Sequence, residues 1–72
     1  MVNVPKLRGK MVEREMNAND LADRIKIDKA TFYRKLKQNG ETFTVKEADL
    51  ISKELNLCAD EAMSIFFSQY VA

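Results

Sequence analysis

Histidine is missing from this sequence, and cysteine and proline occur once each. Without an imidazole, most general acid–base pairs and nucleophilic triads are out of reach. Cys58 alone can neither close an intramolecular disulfide nor complete a zinc site, so neither staple is open to the chain. The two glycines, Gly9 and Gly40, lie too far apart to form a phosphate-cradling loop. No apolar run approaches the roughly 20 residues needed to span a membrane. The N-terminus has neither the apolar stretch nor the small-residue cleavage site of a signal peptide. These absences point to a non-enzymatic, cytoplasmic module with no cofactor, no metal and no small-molecule substrate.

What the chain does have is 72 residues, 46% of them apolar, which is the size of one domain over 1–72. A core this small yields stability of only about 0.05–0.15 kcal/mol per residue, so regular packing of short elements must supply it. The formal charge of +1 hides a strong asymmetry. Residues 24–40 carry Arg24, Lys26, Lys29, Arg34, Lys35 and Lys37 against Asp28 alone, while acids outnumber bases in residues 41–72. Such a block focuses a local positive field that the whole-chain charge conceals.

Capping chemistry marks the helix starts. Asn17 and Asp28 are side chains able to accept a first-turn N–H, and Thr44 with Glu47 spells a full capping box. Cys58 with Glu61 repeats that spacing with a poorer cap. An apolar residue precedes each cap, namely Met16, Ile27, Phe43 and Leu57, and Leu21, Phe32, Ala48 and Ala62 follow four residues into each helix. This is hydrophobic-staple spacing. Pro5 suits the first turn of an earlier helix.

The spacing predicts helices over 5–15, 18–25, 29–37, 45–55 and 59–68 and no strand, giving a compact all-α bundle of four or five helices. The expected core stripes are Val4, Leu7 and Met11; Leu21, Ala22 and Ile25; Phe32 and Leu36; Val45, Ala48, Ile51 and Leu55; and Met63, Phe66 and Phe67. Asn39 and Gly40 are expected to close the third helix, and Gly9 costs the first about 1 kcal/mol relative to Ala. Cys58 reads as a buried or capping residue rather than a reactive thiol.

Only Lys26, Ile27 and Asp28 separate the second and third helices, so the two must cross steeply, as in a helix-turn-helix. In that geometry the second helix of the pair enters the DNA major groove. With Phe32 at zero, Leu36 falls at about 40° on the core side. Tyr33, Lys37, Ala30 and Arg34 span an outward arc from about 100° to 200°. Lys29, Ala30, Tyr33 and Arg34 are therefore the candidate base readers, Arg34 with a fork that fits guanine. Arg24, Lys26, Lys35 and Lys37 are the candidate phosphate contacts. Phe66, Phe67 and Tyr70 belong either to the core or to a self-association patch.

The stretch from Met16 to Ala22, followed by Ile27-Asp28-Lys29-Ala30-Thr31-Phe32-Tyr33-Arg34-Lys35-Leu36, resembles the lambda-repressor-like (Cro/C1-type) helix-turn-helix family. The continuation through Phe43-Thr44, Ile51, Leu55, Leu57 and Glu61-Ala62-Met63 to Phe66-Phe67 is similar to short helix-turn-helix proteins of prophages and siphoviruses. The resemblance implies a DNA-binding domain of a bacterial host cell that acts, usually as a homodimer, on a double-stranded DNA operator as a transcriptional regulator, most simply a repressor. Two departures stand out. Ala18 takes the position of a common phosphate-gripping Gln, and Lys26 that of a usual turn Gly, which implies left-handed backbone strain of about 1 kcal/mol. The rival readings are a phage-derived protein-interaction module and an antitoxin- or controller-type DNA-binding regulator.

Overall fold

The computed structural model describes residues 2–38 and 43–67. It contains α1 (Val4–Glu13), α2 (Ala18–Arg24), α3 (Lys29–Lys37), α4 (Val45–Glu54) and α5 (Ala59–Phe66), with no strand among the described residues. The helices stand where the capping pattern puts them. Asn17 Oδ1 accepts from the Asp20 N–H at 2.8 Å, and Asp28 Oδ2 accepts from the Thr31 N–H at 3.2 Å. Thr44 and Glu47 exchange both bonds of their box, at 3.0 and 2.9 Å. The first helix starts one residue earlier than expected, because Asn3 caps it by accepting from the Lys6 N–H.

Three of the four interhelical turns share one construction. Glu15, Lys26 and Asn56 each sit at positive φ, at 55°, 61° and 52°. Beyond each, the next N–H reaches back five residues to a carbonyl: Met16 to Met11 at 2.8 Å, Ile27 to Ala22 at 3.0 Å, and Leu57 to Ser52 at 2.9 Å. These are Schellman closures, which satisfy carbonyls left orphaned at a helix end. The apolar residue after the left-handed one ends one helix and staples the next, so a four-residue break redirects the chain. The first helix therefore stops at Glu13 rather than 15.

Leu7, Leu21, Phe32, Ile51, Leu55 and Ile65 are fully enclosed, and Val4, Met11, Ala22, Ile25, Leu36 and Ala48 are buried with them. At about 1.5–3 kcal/mol per large apolar side chain, this burial is the main favourable contribution to folding. Phe43 lies between Phe32 (centroids 5.7 Å apart) and Phe66 (6.4 Å, edge-on), joining α3 to α5. The N-terminus is pinned where the Asn3 N–H donates to the Ile65 carbonyl at 2.7 Å. Lys6 with Ser64 and Lys10 with Glu61 tie α1 to α5, and Arg14 Nε donates to the Leu55 carbonyl at 2.9 Å.

Two expectations about the core change, and two other positions are clarified. Val45 is 74% exposed, because the first residue of α4 projects past the elements that cover Ala48 and Ile51. Met63 is 44% exposed, and Ile65 takes the inward place assigned to it. Cys58 caps α5, with its N–H held by Glu61, but it is exposed rather than buried. Gly9 is in open space, with nothing within 4 Å of an added Cβ, so no packing constraint demands it. The Asn39–Gly40 helix closure and the C-terminal Tyr70 fall outside the described residues.

Candidate nucleic-acid interface

The α2–turn–α3 unit is the most closely packed helix pair. Its turn holds Lys26 at φ 61°, so the left-handed strain implied by a non-glycine residue there is present. On α3, Phe32 and Leu36 face the core at 0% and 3% exposure, and Lys29, Ala30, Tyr33, Arg34 and Lys37 are all exposed. The outward arc of the helical wheel is thus brought together on one free face. Asp28 caps the helix, and no acid lies in its first turn.

The flanking cations differ in how firmly they are held. Arg24 is 3.7 Å from Glu54 and Lys29 is 3.9 Å from Asp23, both at the surface. Such pairs contribute about 0–1 kcal/mol, so a phosphate competes with them easily. Lys26, Arg34 and Lys37 have no ion pair among the described residues. Lys35 is placed differently. Its ammonium lies 2.6 and 2.9 Å from the two Glu47 carboxylate oxygens and 5.8 Å from the Phe43 ring centre. Its side chain is only 14% exposed, on the flank of α3 that faces α4, so it does not join the outward arc. Glu47 is lowered below the ordinary carboxylate range: partial burial pushes it up, but hydrogen bonds from Lys35 and Thr44 outweigh this.

Two cations outside the sequence-predicted set border the same face. One concavity gathers Arg24, Lys26, Thr44 and Lys46, bringing the start of α4 beside the turn. Another places Arg8 and Asn17 beside Tyr33 over a floor of Met11, Met16 and Ala18. Both cations lie outside the basic block in sequence, and only the folded chain brings them near. Ala18 itself is buried, so it offers nothing to a phosphate.

Of the candidate self-association residues, Phe66 is 6% exposed and packs edge-on against Phe43, which makes it core, while Phe67 is half-buried. Tyr70 is outside the described residues. No helix among the described residues is long and apolar enough to cross a membrane, and no cluster of potential metal ligands occurs among them.

A convex, acid-free helix with a steep support behind it suits a groove in a polyanion, and this geometry has a counterpart among known families. Residues 6–66 match the profile of the Cro/C1-type HTH DNA-binding domain. No curated protein and no solved structure matches the chain significantly. The match spans all of α2 through α5 and most of α1, so the chain belongs to the Cro/C1-type helix-turn-helix domains, a DNA-binding regulator fold rather than an enzyme family.

Proposed function

We propose that the protein is a sequence-specific operator-binding repressor of the phage or prophage kind, a single domain over 1–72 that reads double-stranded DNA with α3 in the major groove. The observation that carries this reading is the exposed, acid-free arc of Tyr33, Arg34 and Lys37 on a helix whose opposite side is sealed by Phe32 and Leu36. Lys29, Ala30, Tyr33 and Arg34 read bases. Arg34 forks onto guanine O6 and N7, and Tyr33 bonds a base edge or packs on a thymine methyl. Ala30 keeps the helix close to the bases. Arg24, Lys26 and Lys37 contact phosphates, with Lys46 and Arg8 extending the contact to either side.

A homodimer completes the proposal, setting two α3 helices about 34–36 Å apart on a palindromic site. Exposed Val45 beside Phe66 and half-buried Phe67, in a concavity between α4 and α5, favours association along that side. A repressor of this kind acts by occupying the operator in the bacterial cytoplasm.

The test is selection of bound fragments from random double-stranded DNA, followed by titration at two salt concentrations. The expected result is an enriched, two-fold symmetric site whose affinity falls steeply with salt as counterion release weakens. Enrichment of no sequence, or affinity indifferent to salt, would favour a protein-interaction module.

A further inference from the structure

Lys35 is the cation of the basic block that the fold withdraws from solvent. Three residues after Phe32, it lies at about 300° on the helical wheel, beside the core stripe and opposite the outward arc. Both oxygens of Glu47 are within 2.9 Å of its ammonium, and the Phe43 ring lies beneath it. Glu47 in turn accepts from the Thr44 N–H at 2.9 Å, fixing the start of α4. The lysine thus grips a carboxylate that is itself held rigidly by a helix cap.

The rest of α3 explains why such a grip matters. The helix packs chiefly against α2, and on the α4 side it is held through the Phe32–Phe43 ring contact and this ion pair. The ring contact carries no directional bond, whereas the ion pair adds two short charge-assisted hydrogen bonds between α3 and α4. A nine-residue helix is about 13 Å long, so a tilt of about 10° moves one end by about 2 Å, enough to break a bidentate base contact. Drawing Lys35 out to a phosphate would leave the partly buried Glu47 carboxylate with the Thr44 N–H but without its counter-charge, which is unfavourable.

We propose that Lys35 is a positioning residue: paired with Glu47 against Phe43, it sets the tilt of α3 on the body and so aims Tyr33 and Arg34 at the bases. The inference rests on α3 being the reading helix and assigns Lys35 no phosphate of its own.

The test compares Lys35→Met, Lys35→Arg, Glu47→Gln and the Lys35→Met/Glu47→Gln double variant. Glutamine retains the capping geometry at this position. The probes are a duplex that the wild-type protein enriches from random DNA and a scrambled duplex of the same length, each titrated across a salt series. The preference for the enriched duplex is expected to fall about tenfold in Lys35→Met and in Glu47→Gln, and no further in the double variant. Binding to the scrambled duplex and its salt slope stay unchanged, and Lys35→Arg restores the preference.

Equal weakening on both duplexes with a slope shallower by about 0.9 would make Lys35 a phosphate contact and overturn the proposal. An unchanged preference overturns it too. Should Lys35→Met lose its helical circular dichroism, folded Glu47→Gln decides alone by the same criterion. A wild-type protein that enriches no sequence removes the reading role of α3 and this inference with it, whereas enrichment with an unaltered preference in the variants removes only the inference.

Discussion

Arg34 and Lys37 lie one helical turn apart on the same exposed arc, yet they are expected to fail differently when truncated. Arg34→Ala should lose about 1–3 kcal/mol of binding and relax the requirement at one base pair. Lys37→Ala should weaken all duplexes alike and shallow the salt dependence by about one unit. Titrations on an enriched and a random duplex separate the two, and equal losses for Arg34→Ala would reject its reading role. Lys26 carries a conflict at the same scale. Its φ of 61° costs about 1 kcal/mol that glycine would not incur, while its ammonium borders the groove shared with Arg24 and Lys46. Lys26→Gly should therefore raise the melting temperature and weaken DNA binding together; a gain or loss in both would contradict the double assignment. The outward places of Tyr33 and Arg34 were legible because helical rotation depends on spacing alone. The sequestration of Lys35 was not, since it depends on where α4 lies, although its wheel position beside the core stripe was a usable signal.

Elements were more legible than their surroundings, for a physical reason. Caps are local chemistry: Asn17, Asp28 and Thr44 each bond an N–H three residues away, so their meaning survives without knowledge of the fold. No glycine marks the left-handed residues Glu15 and Asn56, though asparagine is among the residues that best tolerate that region; the expected end at 55 lies one residue beyond Glu54, while that at 15 overruns Glu13 by two. Burial is non-local, and Val45 and Met63 carry the right period yet remain exposed. Within α1, Gly9 has neither a steric neighbour nor a left-handed backbone to justify it. Gly9→Ala is expected to stabilise the protein by about 1 kcal/mol, measured by urea unfolding. A neutral or destabilising result would mean that residue 9 is covered by something other than the described chain. Thr44→Ala should cost about 1 kcal/mol by loss of the α4 cap.

For the whole molecule, the ion pair that clamps α1 to α5 gives stability a pH signature. The hydrogen bond from Lys10, with the Cys58 N–H at 3.1 Å, pulls the Glu61 carboxyl down to about 2 from its ordinary 4.5. A group depressed in the folded state stabilises it fully above the ordinary value, and that contribution disappears as pH falls through the folded one. Stability should therefore decline between about pH 4.5 and pH 2, with Glu47, also lowered, acting in the same direction. Glu61 holds Lys10 above its ordinary 10.5 against partial burial, so the alkaline limit of that pair lies above pH 10.5. Thermal melts at pH 3 and pH 6 should show a larger drop for wild type than for Glu61→Gln; identical drops would remove Glu61 from the acid transition.

The fold also joins what the sequence separates, bringing Lys46 and Arg8 to the borders of a face built from residues 24–37. That face is the centre of the account, and guanine N7 is the atom that probes it, because it is exposed only in the major groove and accepts one arm of the arginine fork. Methylation interference on the enriched duplex is the direct measurement. N7 methylation within each half-site should block binding, and Arg34→Ala should become indifferent to it at one guanine. Binding unaffected by N7 methylation, or interference confined to adenine N3 in the minor groove, would show that α3 does not read the major groove.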